Sequence, residues 1–460
     1  AIDLSGDHDH RTKEVTPTSG RPTAAVAISA FLLTALDNVT APLFAAIGII
    51  ATLLQLRKSP TVDRRRDLSI GVALLLITTF TALAVGYPSL PFADTTSQNV
   101  WIAMFVLLVG LQLLWTRSGR IRIQQVALVL MLFGLAAIGG KLILDSQAFP
   151  MHSDVTAFHN SAADELGAGR NPFRYAQTLN ADPYVQPGTV ITGYPYPPLT
   201  MAPLAASAAL LGDSRWILLF AWLVSLGILG RLAIGNGGAG FHSVLILGLL
   251  PTFRVMLFMG WTEFLTIGLA SMLMLLRGRT RLQMSLRAAL FSAFTVSKQY
   301  FAFLAPMALS LRVGGGPMVL GPLTLLVVTI LPYMLLDPPA LLDAMYGNLA
   351  AIGQRPDSFS ISGMIASLGI GNGTLSRPIW LALIGLFGLI VGRRLNDLGD
   401  LVIGASATLA FAFVTGIAFI NYWMLCAALV AIGATLKEQT AAEANELPTA
   451  ASETVQAEIR

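Results

Sequence analysis

Hydrophobic positions along this chain fall in long, nearly unbroken runs separated by short polar or basic stretches. The runs lie at about 23–36, 40–56, 68–87, 99–116, 125–145, 197–212, 215–234, 241–258, 262–276, 285–297, 300–311, 316–336, 376–392, 399–417 and 419–436. A helix that crosses a bilayer needs roughly 20 apolar residues. Several runs are shorter, so full spans are expected beside hairpins or re-entrant elements. The pattern predicts an all-α, polytopic transmembrane helical bundle with about 11 to 14 crossings.

Composition narrows the class further. Of the 460 residues, 55% are hydrophobic and only 12% are charged, about half the charge of an ordinary soluble domain. In water such a chain would expose large apolar patches and aggregate. The net charge of +4 implies no nucleic-acid partner, because the basic residues gather in a few short loops and read as topology signals. Cys426, the one cysteine, sits inside an apolar run and reads as a small buried hydrophobe with no disulfide or metal role.

The basic loops orient the bundle. Arg57, Lys58, Arg64, Arg65 and Arg66 mark one cytoplasmic loop, and Arg117, Arg120 and Arg122 the next. Arg277, Arg279, Arg281 and Arg287 mark a third, with Arg393 and Arg394 a fourth. Counting outward places 146–196, Lys298 and 337–375 on the opposite, external face. The expected organisation is a disordered cytoplasmic tail at 1–22 (with His8 and His10), N-terminal spans over 23–145, an external loop at 146–196 and a central core over 197–336. A second external loop at 337–375, C-terminal spans over 376–436 and a glutamate-bearing, disordered cytoplasmic tail at 437–460 complete it. Four candidate crossings lie between 196 and 277, where an odd number is required. The segment 197–212, short and opening on two prolines, is the first suspect for an element that does not cross. Long loops in an otherwise tightly connected chain are usually functional, and two on one face suggest a roofed cavity at the membrane surface.

Polar residues in those loops are the candidates for chemistry. Asp154, in Met151-His152-Ser153-Asp154, follows a span; a carboxylate at a membrane boundary is costly to desolvate and suits a general base. It equally suits an N-cap. Residues 155–166 fit a short interfacial helix, ended by Gly167, Gly169 and Asn171-Pro172. His159 on it is either a proton shuttle or hydrogen-bonding group or an interfacial histidine without a role; Asp164 and Glu165 read as solvated. Tyr194-Pro195-Tyr196-Pro197-Pro198-Leu199 opens the next apolar segment. Its tyrosines fit an interface belt or a stacking surface for a sugar ring. Lys298 interrupts the apolar stretch 288–311, beside Tyr300, and needs an anion, such as a phosphate, or a route to water. Arg254 and Glu263 flank a turn at 259–261, positioned to pair or to line one cavity. No P-loop, dinucleotide fingerprint or zinc-type histidine cluster is present, and neither a cofactor nor a metal is expected.

The order of these elements resembles the GT-C superfamily of membrane glycosyltransferases. It is most similar to family 87, the polyprenol-phosphate-sugar-dependent mannosyl- and arabinofuranosyltransferases of actinobacteria. The likeness covers roughly 125–312 and rests on the external aspartate, the interfacial helix, Gly169-Arg170-Asn171-Pro172-Phe173, the Tyr-Pro-Pro-Leu entry and the lysine before Phe301-Ala302-Phe303-Leu304. The resemblance implies an inverting transfer from a polyprenyl-phosphate sugar to a glycolipid or polysaccharide on the outer face of the plasma membrane. Asp154 would be the base, and Lys298 would contact the donor phosphate, with Arg254 as a second cation. His159, Asn171, Tyr194, Tyr196, Glu263 and Tyr300 would line the substrate cavity. Two alternatives have other signatures. A transporter or flippase of lipid-linked sugars would show internal repeats and broken helices. A polysaccharide polymerase or ligase would carry arginines and a histidine in a late external loop, where 337–375 has only Arg355.

Overall fold

The computed structural model describes residues 121–147, 154–179, 189–235, 241–250, 252–276, 280–309, 315–347, 360–368, 377–416 and 421–437, with Ser358 and scattered positions between 103 and 120. The runs expected at 23–87, both tails, the first basic loop and most of 348–376, Arg355 included, lie outside the described residues.

Helix α1 (Ile121–Gln147) and α2 (Asp154–Gly167) precede a two-stranded antiparallel hairpin of β1 (Ala176–Leu179) and β2 (Thr189–Thr192), paired Ala176 to Thr192 and Leu179 to Thr189. Then come α3 (Pro198–Leu211), α4 (Arg215–Gly235), α5 (Phe241–Leu249), α6 (Thr252–Met259) and α7 (Glu263–Met272), the last continuing as a 3₁₀ turn to Leu275. Helix α8 (Arg281–Val296) leads through a 3₁₀ segment (Gln299–Leu304) into α9 (Ala305–Leu309). The chain closes with α10 (Gly315–Leu336), α11 (Pro338–Leu342), α12 (Ile361–Ser367), α13 (Arg377–Gly392), α14 (Leu398–Thr415) and α15 (Asn421–Lys437).

The architecture is helical, as expected, and one short two-stranded hairpin not anticipated from the sequence lies within 146–196. Its strands carry the β-branched run Thr189-Val190-Ile191-Thr192 between a proline-rich loop and Gly193, the composition that favours strand over helix.

Among the described residues, three helices are long and apolar enough to cross a membrane: 121–146, 215–235 and 398–415. A fourth crossing is counted if α6 and α7 with its 3₁₀ turn form one broken span; the two are bent by 110°. The expected separate spans at 241–258 and 262–276 are therefore replaced by three short helices. Pro251 interrupts the first run, and Gly260 turns the chain back. Helix α3 has 14 residues, about 21 Å of rise against a hydrocarbon core of about 30 Å, so it is too short to cross alone. Helices 320–336, 378–392 and 421–437 are apolar but also shorter than a full span.

The main core is built from α1, α4–α8, α14 and α15, around Trp222, Phe253 and Phe264. Helix α14 is buried over most of its length. The opposite case is α10 and the outer faces of α1 and α13, where Phe133, Val129, Val328, Leu335 and Leu386 are exposed. Such an outward apolar band is costly in water and unremarkable against lipid.

A second, smaller core forms apart from the first. Phe158 and Ala162 of α2, Phe173, Tyr194, Met201 of α3, and Leu341, Ala344 and Met345 after α10 pack together. Arg174 forms an ion pair with Asp337, and Asp337 also caps α11 by accepting from Ala340 N. The two segments read as long loops on one face are in this way joined into one structure.

Candidate functional site

Helix α2 is amphipathic. Val155, Thr156, Phe158, His159 and Ala162 are buried, at the three- and four-residue spacing of one helical face. His159 is 1% exposed. Its Nε2 lies 3.2 Å from the Gly260 carbonyl oxygen, and its Nδ1 lies 3.1 Å from the Tyr194 hydroxyl. A carbonyl only accepts, so Nε2 carries the proton; Nδ1 is then bare and accepts from Tyr194. The ring is neutral in this arrangement. Burial, then the positive charge of Lys298, hold its pKa down to about 3 against the raising effect of the Gly260 carbonyl. Burial also keeps the Tyr194 phenol well above its usual range, so it remains a donor.

Gly260 is the elbow between α6 and α7, with φ of +70°. A Cβ there would meet Thr156 Oγ1 at 2.5 Å, so only glycine lets α2 lie against the elbow. Gly193, with φ of +73°, brings the chain out of β2 into Tyr194. A Cβ there would meet the Phe173 carbonyl oxygen at 2.4 Å.

Tyr194 and Tyr196 stack edge to face, with ring centroids 5.5 Å apart, and Tyr196 lies 5.5 Å from the His159 ring. The Lys298 ammonium sits 4.3 Å from the centre of the Tyr196 ring, a cation–π distance. Lys298 is the extended residue between α8 and the 3₁₀ segment, with φ −143° and ψ 143°. Its Nζ is 3.2 Å from Glu263 Oε1, and both side chains are buried. The same oxygen accepts a hydrogen bond from the Tyr300 hydroxyl at 3.1 Å. Tyr300 in turn packs edge to face on Phe413 and Tyr422.

Six of the expected residues, His159, Tyr194, Tyr196, Glu263, Lys298 and Tyr300, therefore meet beside the Gly260 elbow in one cluster. Other expectations are placed differently. Arg254 is buried on α6, but Glu263 pairs with Lys298 rather than with Arg254. Asn171 closes a turn: its Oδ1 accepts from Phe173 N at 3.0 Å, and its carbonyl accepts from Arg174 N. It shapes the loop that carries Phe173 into the small core. Asp154 is the first residue of α2, five positions before His159; its carboxylate lies outside the described atoms.

Residues not singled out in the sequence complete the site's frame. Thr200 donates to the Ser297 carbonyl, and Ser297 and Thr266 hydroxyls lie 3.0 Å apart. These bonds tie α3 and α7 to the residue before Lys298. The buried Asp213–Arg215 pair links α3 to α4. Thr200 and Thr266 are lone polar residues in apolar runs, while Ser297, Asp213 and Arg215 sit in short polar breaks between runs; both signals mark a position but not its partner. Among the described residues, no group of three or more His, Cys, Asp or Glu side chains stands close enough to hold a metal ion.

Comparison with family models found no match. Curated proteins and solved structures likewise gave none.

Proposed function

We propose that this chain is an inverting membrane glycosyltransferase, taking mannose, or next arabinofuranose, from a polyprenyl-phosphate donor to a glycolipid or polysaccharide acceptor on the extracytoplasmic face of the plasma membrane. One observation carries the reading. Three of the elements on which the GT-C resemblance rests, the interfacial helix, the Tyr-Pro-Pro-Leu entry and the lysine after α8, meet in a cluster with a cation, aromatic faces and a neutral histidine.

The acceptor hydroxyl oxygen attacks the anomeric carbon while the bond from that carbon to the phosphate oxygen breaks. The electron pair leaves on polyprenyl phosphate, and the hydroxyl proton passes to the Asp154 carboxylate. Lys298 stabilises the charge that grows on the departing phosphate, and the Tyr194–Tyr196 faces orient the sugar. A lipid-borne donor keeps its tail in the bilayer, so a site at the membrane surface meets it without extraction. Purified protein in detergent, given radiolabelled polyprenyl-phosphate mannose and then the arabinofuranosyl donor, tests the reaction class by transfer to membrane glycolipid.

The broken pair α6–α7, with the acidic Glu263 just after its elbow, favours a second reading, a transporter or flippase of lipid-linked sugars. Transbilayer movement of a fluorescent lipid-linked sugar in proteoliposomes, without transfer, distinguishes it.

A further inference from the structure

Lys298 and Glu263 satisfy one another poorly. An ammonium has three N–H donors, yet among the described residues its polar neighbour is Glu263 Oε1 alone, at 3.2 Å. The rings of Tyr196 and Tyr300 occupy its other sides. Glu263 gathers both Lys298 and Tyr300 on Oε1, while Oε2 is buried with no hydrogen-bond partner among the described residues. Elsewhere the chain builds tighter lysine–carboxylate pairs, 2.7 Å for Lys141–Asp145 and 2.6 Å for Lys437–Asp400.

The two deficits are opposite in kind. Lys298 lacks acceptors and Glu263 Oε2 lacks a donor. A phosphate dianion or diester offers acceptor oxygens, and a sugar hydroxyl offers an O–H donor. A glycosyl phosphate carries both on neighbouring atoms.

We propose that Lys298 and Glu263 form a two-pronged subsite for a lipid-linked glycosyl phosphate, in which Lys298 takes the phosphate oxygens and Glu263 Oε2 accepts a hydrogen bond from a hydroxyl of the sugar. This rests on the transferase reading and deepens it, making Glu263 a specificity-determining residue that tells the glycosylated lipid from the bare one. The half-buried Tyr196 ring covers the ammonium and turns aside to admit the ligand. After transfer the bare polyprenyl phosphate has lost its contact with Glu263, so product binds more weakly than donor.

The test is displacement of a fluorescent polyprenyl phosphate from the intact protein in detergent. A hexose 1-phosphate is expected to displace it at about one-tenth the concentration of inorganic phosphate, the scale of one hydrogen bond to a charged group; equal potency overturns the subsite. Polyprenyl-phosphate hexose is expected to act at lower concentration than hexose 1-phosphate, and the reverse order overturns the assignment to a lipid. Glu263→Asp, which keeps the charge but withdraws the carboxylate, and Glu263→Met are each expected to retain phosphate displacement and lose the sugar preference. Wild-type preference in either variant contradicts the proposal, as does phosphate binding that survives Lys298→Met. Sugar-selective displacement without transfer would keep the subsite and remove the transferase reading. Transfer with undiminished donor selectivity in Glu263→Asp would do the opposite.

Discussion

The Tyr194 hydroxyl donates to Nδ1 of His159 across 3.1 Å, and the same imidazole donates from Nε2 to the carbonyl of Gly260. One neutral ring thus holds three segments in register: the interfacial helix that starts at Asp154, the chain leaving the hairpin, and the elbow of a broken helix. Tyr194→Phe removes the donor and leaves Nδ1 buried without a partner. The expected cost is about 1–3 kcal/mol, read as a lower melting temperature in detergent. A melting curve identical to wild type would show that the contact contributes nothing.

The same ring predicts a pH dependence. His159 has its folded pKa depressed to about 3 from an ordinary value of 6.5. Below pH 6.5 the unfolded chain therefore binds a proton that the folded chain refuses, and stability falls as pH falls, by up to about 1.4 kcal/mol per unit. The loss continues until the folded group also titrates. Glu165 and Asp337, with pKa values lowered by Arg170 and Arg174, respond only in the carboxylate range. Melting measured from pH 7.5 to 5 covers the histidine range, and comparison with a His159 variant separates it from the four other histidines. His159→Gln is expected to flatten that profile, and an unchanged slope would assign the effect elsewhere.

Gly260→Ala is expected to destabilise by about 1–3 kcal/mol, because alanine is strained at a positive φ and its methyl strikes Thr156. Combining it with Thr156→Ala removes the collision but not the backbone strain. The double variant should therefore recover part of the melting temperature and not all of it. Full recovery would mean that the backbone tolerates alanine at the elbow.

Lys298→Met leaves Glu263 buried without its counter-ion, expected to cost about 3–5 kcal/mol. In Lys298→Met with Glu263→Gln the uncompensated charge is gone, and stability should lie closer to wild type. In assays, Lys298→Ala should weaken donor use more than acceptor use. A wild-type donor affinity would remove Lys298 from the site.

The sequence carried some of this geometry and hid the rest. A helix from 155 to 166 was visible in its periodicity and glycine stop, and the structure has one at Asp154–Gly167. The turn at 259–261 and the break at Lys298 were visible because a glycine and a cation interrupted apolar runs. The partner of Glu263 was not. Arg254 and Lys298 are both lone cations in apolar surroundings, and only the 110° fold-back of α6 on α7 decides between them. The hairpin was missed because strands of 4 residues in a polar, proline-rich stretch resemble loop. Run length alone also does not register where Pro251 and Gly260 divide a run, so 241–258 and 262–276 read as two separate spans.

The most direct test of the central claim compares purified wild type with Asp154→Asn for transfer of radiolabel from polyprenyl-phosphate mannose to membrane glycolipid, with the arabinofuranosyl donor as a parallel arm and melting temperatures matched. The account predicts transfer by wild type and none by the variant. Equal transfer by both proteins would contradict Asp154 as the base, and silence of the wild type with both donors would contradict the transferase itself.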